Sequence, residues 1–330
     1  MKKMNITDFS IKWGFLIVMA VLFAAFSLLQ PAFISAGNLF NILLSVCIFG
    51  TMALGETFVL ITDGMDLSIG STAALSVMLS AYFMVVLEFG GFVTILLVLG
   101  IGIVIGLFIG FLIVKVKIPD LLATLGMMFL VQGVQYIPSG GLSIGRGAII
   151  KNGKEAMGYF SEGFKYLGQG RILKVIPVPV LIMVGVAIIV YVILSKTKFG
   201  RIFYAIGGNP EAARLVGVNV KKYKVIAYVS SSFIASLAGI LLAARVGRGD
   251  VGSQGTLLMD AIGASLIGYA VLGARKPNPF GTIVGAIFIG MLMNGLTMLS
   301  MQYFWQDFIK GTVLVAALVF TFGISKKQGT

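Results

Sequence analysis

Long apolar runs restrict the fold of this chain more than any other feature. Ten of them lie near residues 13–30, 39–61, 67–88, 91–114, 119–137, 177–195, 223–244, 258–274, 280–300 and 304–323. A helix needs about 20 apolar residues to cross a bilayer. Hydrocarbon offers no partner to a free amide, so the segment must satisfy its own backbone. The runs are too long and unbroken for the alternating strands of a barrel. The expected fold is an all-α polytopic membrane protein of about ten transmembrane helices, with residues 1–330 as a single transmembrane domain. Composition agrees, with 58% of residues hydrophobic and 11% charged, against about 25% charged in soluble domains. The first run, Trp13 to Leu29, follows a basic start and invites comparison with a signal peptide. It exceeds the apolar core of about 7–15 residues in such signals, so a retained first helix is expected.

The formal net charge is +13. In a soluble protein that would suggest nucleic acid. Here the basic residues sit between apolar runs, where they set orientation in the membrane. The expected contact is therefore lipid and not nucleic acid. With the N-terminus in the cytoplasm, 16 Lys and Arg fall on the inner side: Lys2, Lys3, Lys12, Lys115, Lys117, the seven from Lys196 to Lys224, Arg275, Lys276, Lys326 and Lys327. The outer side holds 8, namely Arg146, Lys151, Lys154, Lys165, Arg171, Lys174, Arg245 and Arg248. Both termini are expected inside.

The sequence also excludes chemistry. There is no histidine and one cysteine, Cys47, so a histidine-based triad or relay is absent and no intrachain disulfide can form. No metal site is expected. No G-x-x-x-x-G-K-[ST] occurs, so any use of ATP must be supplied by another subunit. Acidic residues near the runs are few. Glu56 alone looks well inside one; a helix-end placement or an interhelical hydrogen bond is expected for it, with an ion or proton site as the alternative, since buried charge there is costly. Glu88 and Asp120 are expected at span ends. Asp260 is expected to cap the eighth helix, and Asp307 to pair with Lys310 on one helix face.

Two connections are long. The outer one, 138–176, contains nine glycines and suits either an external partner or a tolerated loop. The inner one, 196–222, contains a short helix with explicit punctuation. Gly207 and Gly208 permit a sharp turn, Asn209 suits an N-cap, and Pro210 suits the first helical position. Glu211 favours the positive end of the helix dipole, and Gly217 suits the left-handed stop. A helix of about two turns is marginal in water by itself. It is expected either to dock on a cytoplasmic partner or to pack on the ends of its own spans.

Elsewhere, Asp63 and Asp66 flank Gly64, and Asp66 reads as the N-cap of helix 3, with a gate or partner contact as the alternative. Gly102, Gly106 and Gly110 give helix 4 a repeated small-residue pattern for close packing. Met65-Asp66 and Met259-Asp260 each open a run of small residues, which suggests an inverted repeat of helices 2–5 and 7–10.

Four ordered segments carry a family resemblance. "AIGGNPEAARLVGV" (Ala205–Val218) resembles the coupling-loop signature of the ribose/galactose/xylose importer family of ABC permeases. "ITDGMDLSIGS" (Ile61–Ser71) is similar to that family's "GGIDLSVGS", including Ser68, Gly70 and Ser71. "MDAIGASLIG" (Met259–Gly268) resembles its "LDAIAA", and "GTIVGAIFIGMLMNGLTMLSM" (Gly281–Met301) is the fourth. One departure stands out: "IGYAVLGARKPNP" (Ile267–Pro279) replaces a glycine-rich turn, with Tyr269 and two prolines.

The resemblance implies a permease of the bacterial inner membrane that imports a sugar-like solute. It implies a homodimer, or a heterodimer with a paralogue, each copy docking a cytoplasmic ATP-binding subunit that holds ATP and Mg. It also implies a periplasmic or lipid-anchored solute-binding protein, no cofactor on this chain, and no catalysis by the chain itself. Gly208, Asn209, Pro210, Glu211, Ala213, Arg214 and Gly217 would then form the coupling contact. The competing reading is an ion-coupled secondary transporter, which would have to use Glu56. No residue is assigned to the solute, and pentose, hexose, polyol, autoinducer-type sugar and nucleoside stay open.

Overall fold

The computed structural model describes residues 6–149, 153, 155–252, 254–269, 271 and 276–326. Lys2, Lys3, Lys151, Lys154, Arg275 and Lys327, counted above for orientation, lie outside the described residues, as do 270 and 272–275 of the Ile267–Pro279 departure.

Each expected run is helical. They are α1 (Ile6–Leu29), α2 (Ala36–Ile61), α3 (Ile69–Ala81), α4 (Gly91–Phe111), α5 (Asp120–Tyr136), α7 (Val178–Lys196), α10 (Val220–Val246), α11 (Gln254–Ile267), α12 (Pro279–Met298) and α13 (Tyr303–Lys326). α3 and α4 each continue through a five-residue π-helical turn, Tyr82–Val86 and Leu112–Val116. Six are long and apolar enough to cross a membrane: 36–61, 69–86, 91–116, 178–196, 220–246 and 279–298. Trp13–Leu29 and Gly255–Ile267 are shorter apolar helices. At about 1.5 Å per residue, α11 spans only about 21 Å, short of the roughly 30 Å hydrocarbon core. The eighth helix was expected to run to 274 but stops at Ile267. Gly268 there lies against the backbone of Gly281 and Thr282, and Asn278 restarts the chain by accepting from Gly281 N–H at 2.7 Å.

Burial sorts the spans. The most apolar 18-residue window of α2 is 83% buried, whereas the corresponding windows of α4 and α7 are 33% buried. α2 and α10 form the centre. α10 packs on α2, α3 and α4, while α2 packs on α10, α11 and α12, and α3 touches α11. Exchanging α2–α4 with α10–α12 therefore preserves the packing scheme.

Close approach of α4 to α10 depends on glycine. A Cβ on Gly106 would lie 2.6 Å from Val229 Cα, and one on Gly110 would lie 3.0 Å from the Val225 side chain. One on Gly102 would strike the Ser236 hydroxyl. All three partners are on α10, so the glycine row is the surface on which the two helices meet.

At one end of the bundle, α6 (Glu162–Gln169) and the short antiparallel pair β1 (Arg171–Ile172) and β2 (Ile176–Pro177) lie within the long 138–176 connection. Phe164 is buried there with Val85, Ala243 and Ala244. Gly249 pairs with Ile144, and Arg245 Nη1 donates to the Leu44 carbonyl at 2.9 Å. At the opposite end stand two further helices, α8 (Lys198–Gly208) and α9 (Pro210–Leu215). α8 has no counterpart among the apolar runs.

Candidate functional site

Two groups of residues meet at the α9 end. The first is the short helix itself. Asn209 adopts an extended conformation, and its Oδ1 accepts from Glu211 N–H and Ala212 N–H, both at 3.0 Å. Pro210 follows as the first helical residue, Glu211 lies in the first turn, and Gly217 has φ +85°. Ala213 is buried against Ile206 and Val220. Glu211 and Arg214 are exposed, and so are two apolar side chains, Leu215 at 89% and Val216 at 79%. The helix is thus clamped to its own loop through one alanine while its larger apolar residues face outward.

Gly207 and Gly208 do not make the expected turn. They are the last two residues of α8, and the reversal falls at Asn209. Gly207 has a different reason to be small: the Ile61 carbonyl occupies the place its Cβ would take. That contact joins α8 to the last residue of α2.

The second group surrounds the 62–68 turn between α2 and α3. Asp63 is exposed with φ +59° and ends α2. Asp66, Ser68, Gly70 and Ser71 are buried. Asp66 is not the N-cap of α3. That position is Ser68, whose side chain makes no capping bond, because α3 begins at Ile69. Asp66 instead accepts from Ser68 N–H at 2.9 Å and Ser68 Oγ at 2.6 Å through Oδ1. Its Oδ2 accepts from Ser231 Oγ on α10 at 2.8 Å. Its own N–H donates to Glu56 Oε1 at 3.0 Å, so the turn folds back beside α2. Burial pushes the Asp66 carboxyl above the usual carboxylate range, while the bonds from Ser68 and Ser231 pull it down.

Glu56 is fully buried, as its position inside the run implied, and among the described residues Oε2 has no hydrogen-bond partner. Two buried carboxyl groups here share one turn, held by hydroxyls and a backbone amide. A neighbouring set closes the turn from the α5 side. Asp120 Oδ2 accepts from Tyr228 Oη at 2.8 Å and pairs with Lys224 Nζ at 2.9 Å. A Cβ on Gly64 would lie 2.7 Å from Tyr228 Oη and 2.8 Å from Asp120 Oδ2. Thr124 Oγ1 donates to the Met65 carbonyl at 3.1 Å. Sequence reasoning singled out Glu56 and Asp66 and missed Tyr228 and Ser231. Their signal was present: Lys224, Tyr228 and Ser231 recur at helical spacing along one face of α10.

The other acids differ from expectation in one case. Asp260 does not cap α11 but lies within it, paired with Lys310 at 3.0 Å. Lys310 also pairs with Asp307 three residues earlier, at 3.4 Å, as read from the spacing. Glu88 ends its span with φ +57°. Tyr204 on α8 donates to the Pro277 carbonyl at 2.9 Å, and burial raises its phenol, which keeps the donor proton in place. Among the described residues, no three His, Cys, Asp or Glu side chains gather as a metal site would require.

A bundle of apolar helices with a short capped helix presented at one end has the make-up of a membrane transport component. The comparisons specify which. Residues 38–318 match the family described as the branched-chain amino acid transport system / permease component, and the chain belongs to that family. It is 36% identical over 307 residues to the ribose import permease protein of Escherichia coli K12, covering 92% of this chain and 91% of the relative. It is 32% identical to the xylose transport system permease protein of Haemophilus influenzae, with 92% and 94% covered. The L-arabinose ABC transporter permease protein of Azospirillum brasilense is also 32% identical, with 93% and 86% covered. No solved structure matches the chain significantly.

Proposed function

We infer that this chain is the permease subunit of a bacterial ABC importer. It forms the path for a sugar or sugar-like solute across the inner membrane. The observation that carries the reading is α9: a short helix fixed by Asn209 and Ala213, with Leu215 and Val216 turned to the outside. Large apolar side chains placed together on a tip are an interaction surface. The matching partner is a cytoplasmic ATP-binding subunit, which brings ATP and Mg. Glu211 and Arg214 flank the apolar pair and set register by charge.

On this reading the α9 end is cytoplasmic, both termini are inside, and the 138–176 end receives a periplasmic or lipid-anchored solute-binding protein. The permease works as a pair, of two identical copies or with a paralogue. The two central helices with exchange-related neighbours support an inverted repeat of α2–α5 and α10–α13. The sugar reading draws on the ribose, xylose and arabinose relatives. The ion-coupled alternative would have to free Glu56 from the Asp66 amide that it accepts.

Glu211→Arg tests the docking. In reconstituted vesicles it should leave the bundle folded and abolish stimulation of ATP hydrolysis by loaded binding protein. Normal stimulation would count against α9 as the contact. For the solute, a thermal-shift screen of the cognate binding protein should respond to monosaccharides. A response to branched-chain amino acids alone would reassign the substrate.

A further inference from the structure

α8 lies between the docking helix and the bundle, and its contacts divide into two kinds. Ile206 packs with Ala213 of α9 and Val220 of α10, so α8 and α9 share one small apolar cluster. Toward α2, Phe203 meets Phe58 edge-on with ring centroids 5.8 Å apart, and Gly207 rests on the Ile61 carbonyl. Toward α12 the link is polar. Tyr204 Oη donates to the Pro277 carbonyl at 2.9 Å, and the next residue, Asn278, caps α12 through Gly281 N–H. α8 therefore reaches the last turn of α2 by packing and the turn just before the α12 cap by a hydrogen bond.

We propose that α8 is the lever that carries displacement of the docked α9 into the bundle, and that Tyr204 is the positioning residue linking it to α12. The proposal rests on the permease reading. α9 has one buried side chain, Ala213, so a load on its outer face passes first through that residue to Ile206. Close-packed interiors transmit such a shift because they do not compress, which suits the Phe203–Phe58 contact. The Tyr204–Pro277 bond is directional and weakens steeply with misalignment. It ties the turn before α12 to α8 in one geometry. Through these two links α8 holds the inner ends of one central helix and of the helix packed against it. Removing the Tyr204 hydroxyl breaks the second link and leaves the apolar one intact.

Tyr204→Phe tests this in the complete complex, with ATPase subunit and binding protein, in vesicles. The variant should assemble and keep basal ATP hydrolysis. Solute moved per ATP hydrolysed should fall about fivefold, the order expected for one lost hydrogen bond. Amide exchange before and after trapping the nucleotide state supplies the second readout. In the unaltered chain, trapping should change exchange at both 56–64 and 278–285. In Tyr204→Phe the change at 278–285 should disappear and that at 56–64 should remain. Unchanged transport per ATP, or an unchanged response at 278–285, overturns the proposal. Failure to assemble, or equal loss at both places, also overturns it, since Tyr204 would then only hold the loop together. An unaltered chain that binds no ATPase subunit overturns the permease reading as well.

Discussion

α3 and α11 occupy comparable places, each leaning on the central helix of the other half, α10 and α2 respectively. The polar groups that hold them differ. α3 is introduced by the buried 62–68 turn, where Asp66 is met by the hydroxyls of Ser68 and Ser231, by the Ser68 amide and, at its own amide, by Glu56. α11 carries Asp260 within the helix, where Lys310 of α13 meets it. Packing differs as well. α4 closes on α10 through its glycine row, whereas a cavity of about 470 Å³ opens between α11, α12 and α13. Met259, Gly263, Phe288, Leu292 and Leu314 line it, with Lys310 and Asp307 at α13. The two halves thus share a packing scheme, and the α11–α13 side of one of them encloses a cavity.

Four substitutions would break or sharpen that contrast. The largest effect is expected from Gly106→Leu, which drives a side chain into the α10 backbone. It should cost more than about 3 kcal/mol and remove folded protein from detergent extracts. Recovery at normal yield would mean that α4 and α10 do not approach as closely as 2.6 Å requires. Next comes Asp66→Ala, set beside Asp260→Ala. The first strands the Ser68 amide and the Ser231 hydroxyl in a buried place and should cost about 2–3 kcal/mol. The second leaves Lys310 with Asp307 and should cost about 1 kcal/mol. Thermal unfolding of the solubilised protein reads both, and the reverse order would show that the hydroxyl-held Asp66 turn contributes less than the Asp260–Lys310 pair. The smallest effect belongs to Gly263→Ala. Its Cβ would sit 3.2 Å from Ile289 Cδ1 and 3.8 Å from Leu314 Cδ2, beside the cavity. A change within about 0.5 kcal/mol is expected, and a larger loss would show that α13 has no freedom to adjust.

Much of the candidate site was legible because its signals are local. Asn209, Pro210 and Gly217 announce a helix start and stop through backbone chemistry that spans only a few residues. The Asp307–Lys310 pair follows from helical spacing alone. Asp66 was misread for the same reason: a capping pattern is local, but the partner that claims Oδ2 is Ser231, 165 residues away. α8 was missed because it is amphipathic within the long 196–222 connection, and its apolar side is defined by residues distant in sequence such as Phe58 at the end of α2.

The sequence by itself determined that this chain has the make-up of a membrane protein, where its apolar helices lie to within a turn or two, and which short helix is presented within the long 196–222 connection. Those outcomes depend on transfer of apolar length from water and on backbone caps, both set by residues close in the chain. Only the tertiary structure decided which helices are central, what the buried carboxyl groups accept from, and that α8 reaches both α2 and the turn before α12. Such facts require helices distant in sequence to meet, and a periodic apolar pattern says that a face is buried without saying against what.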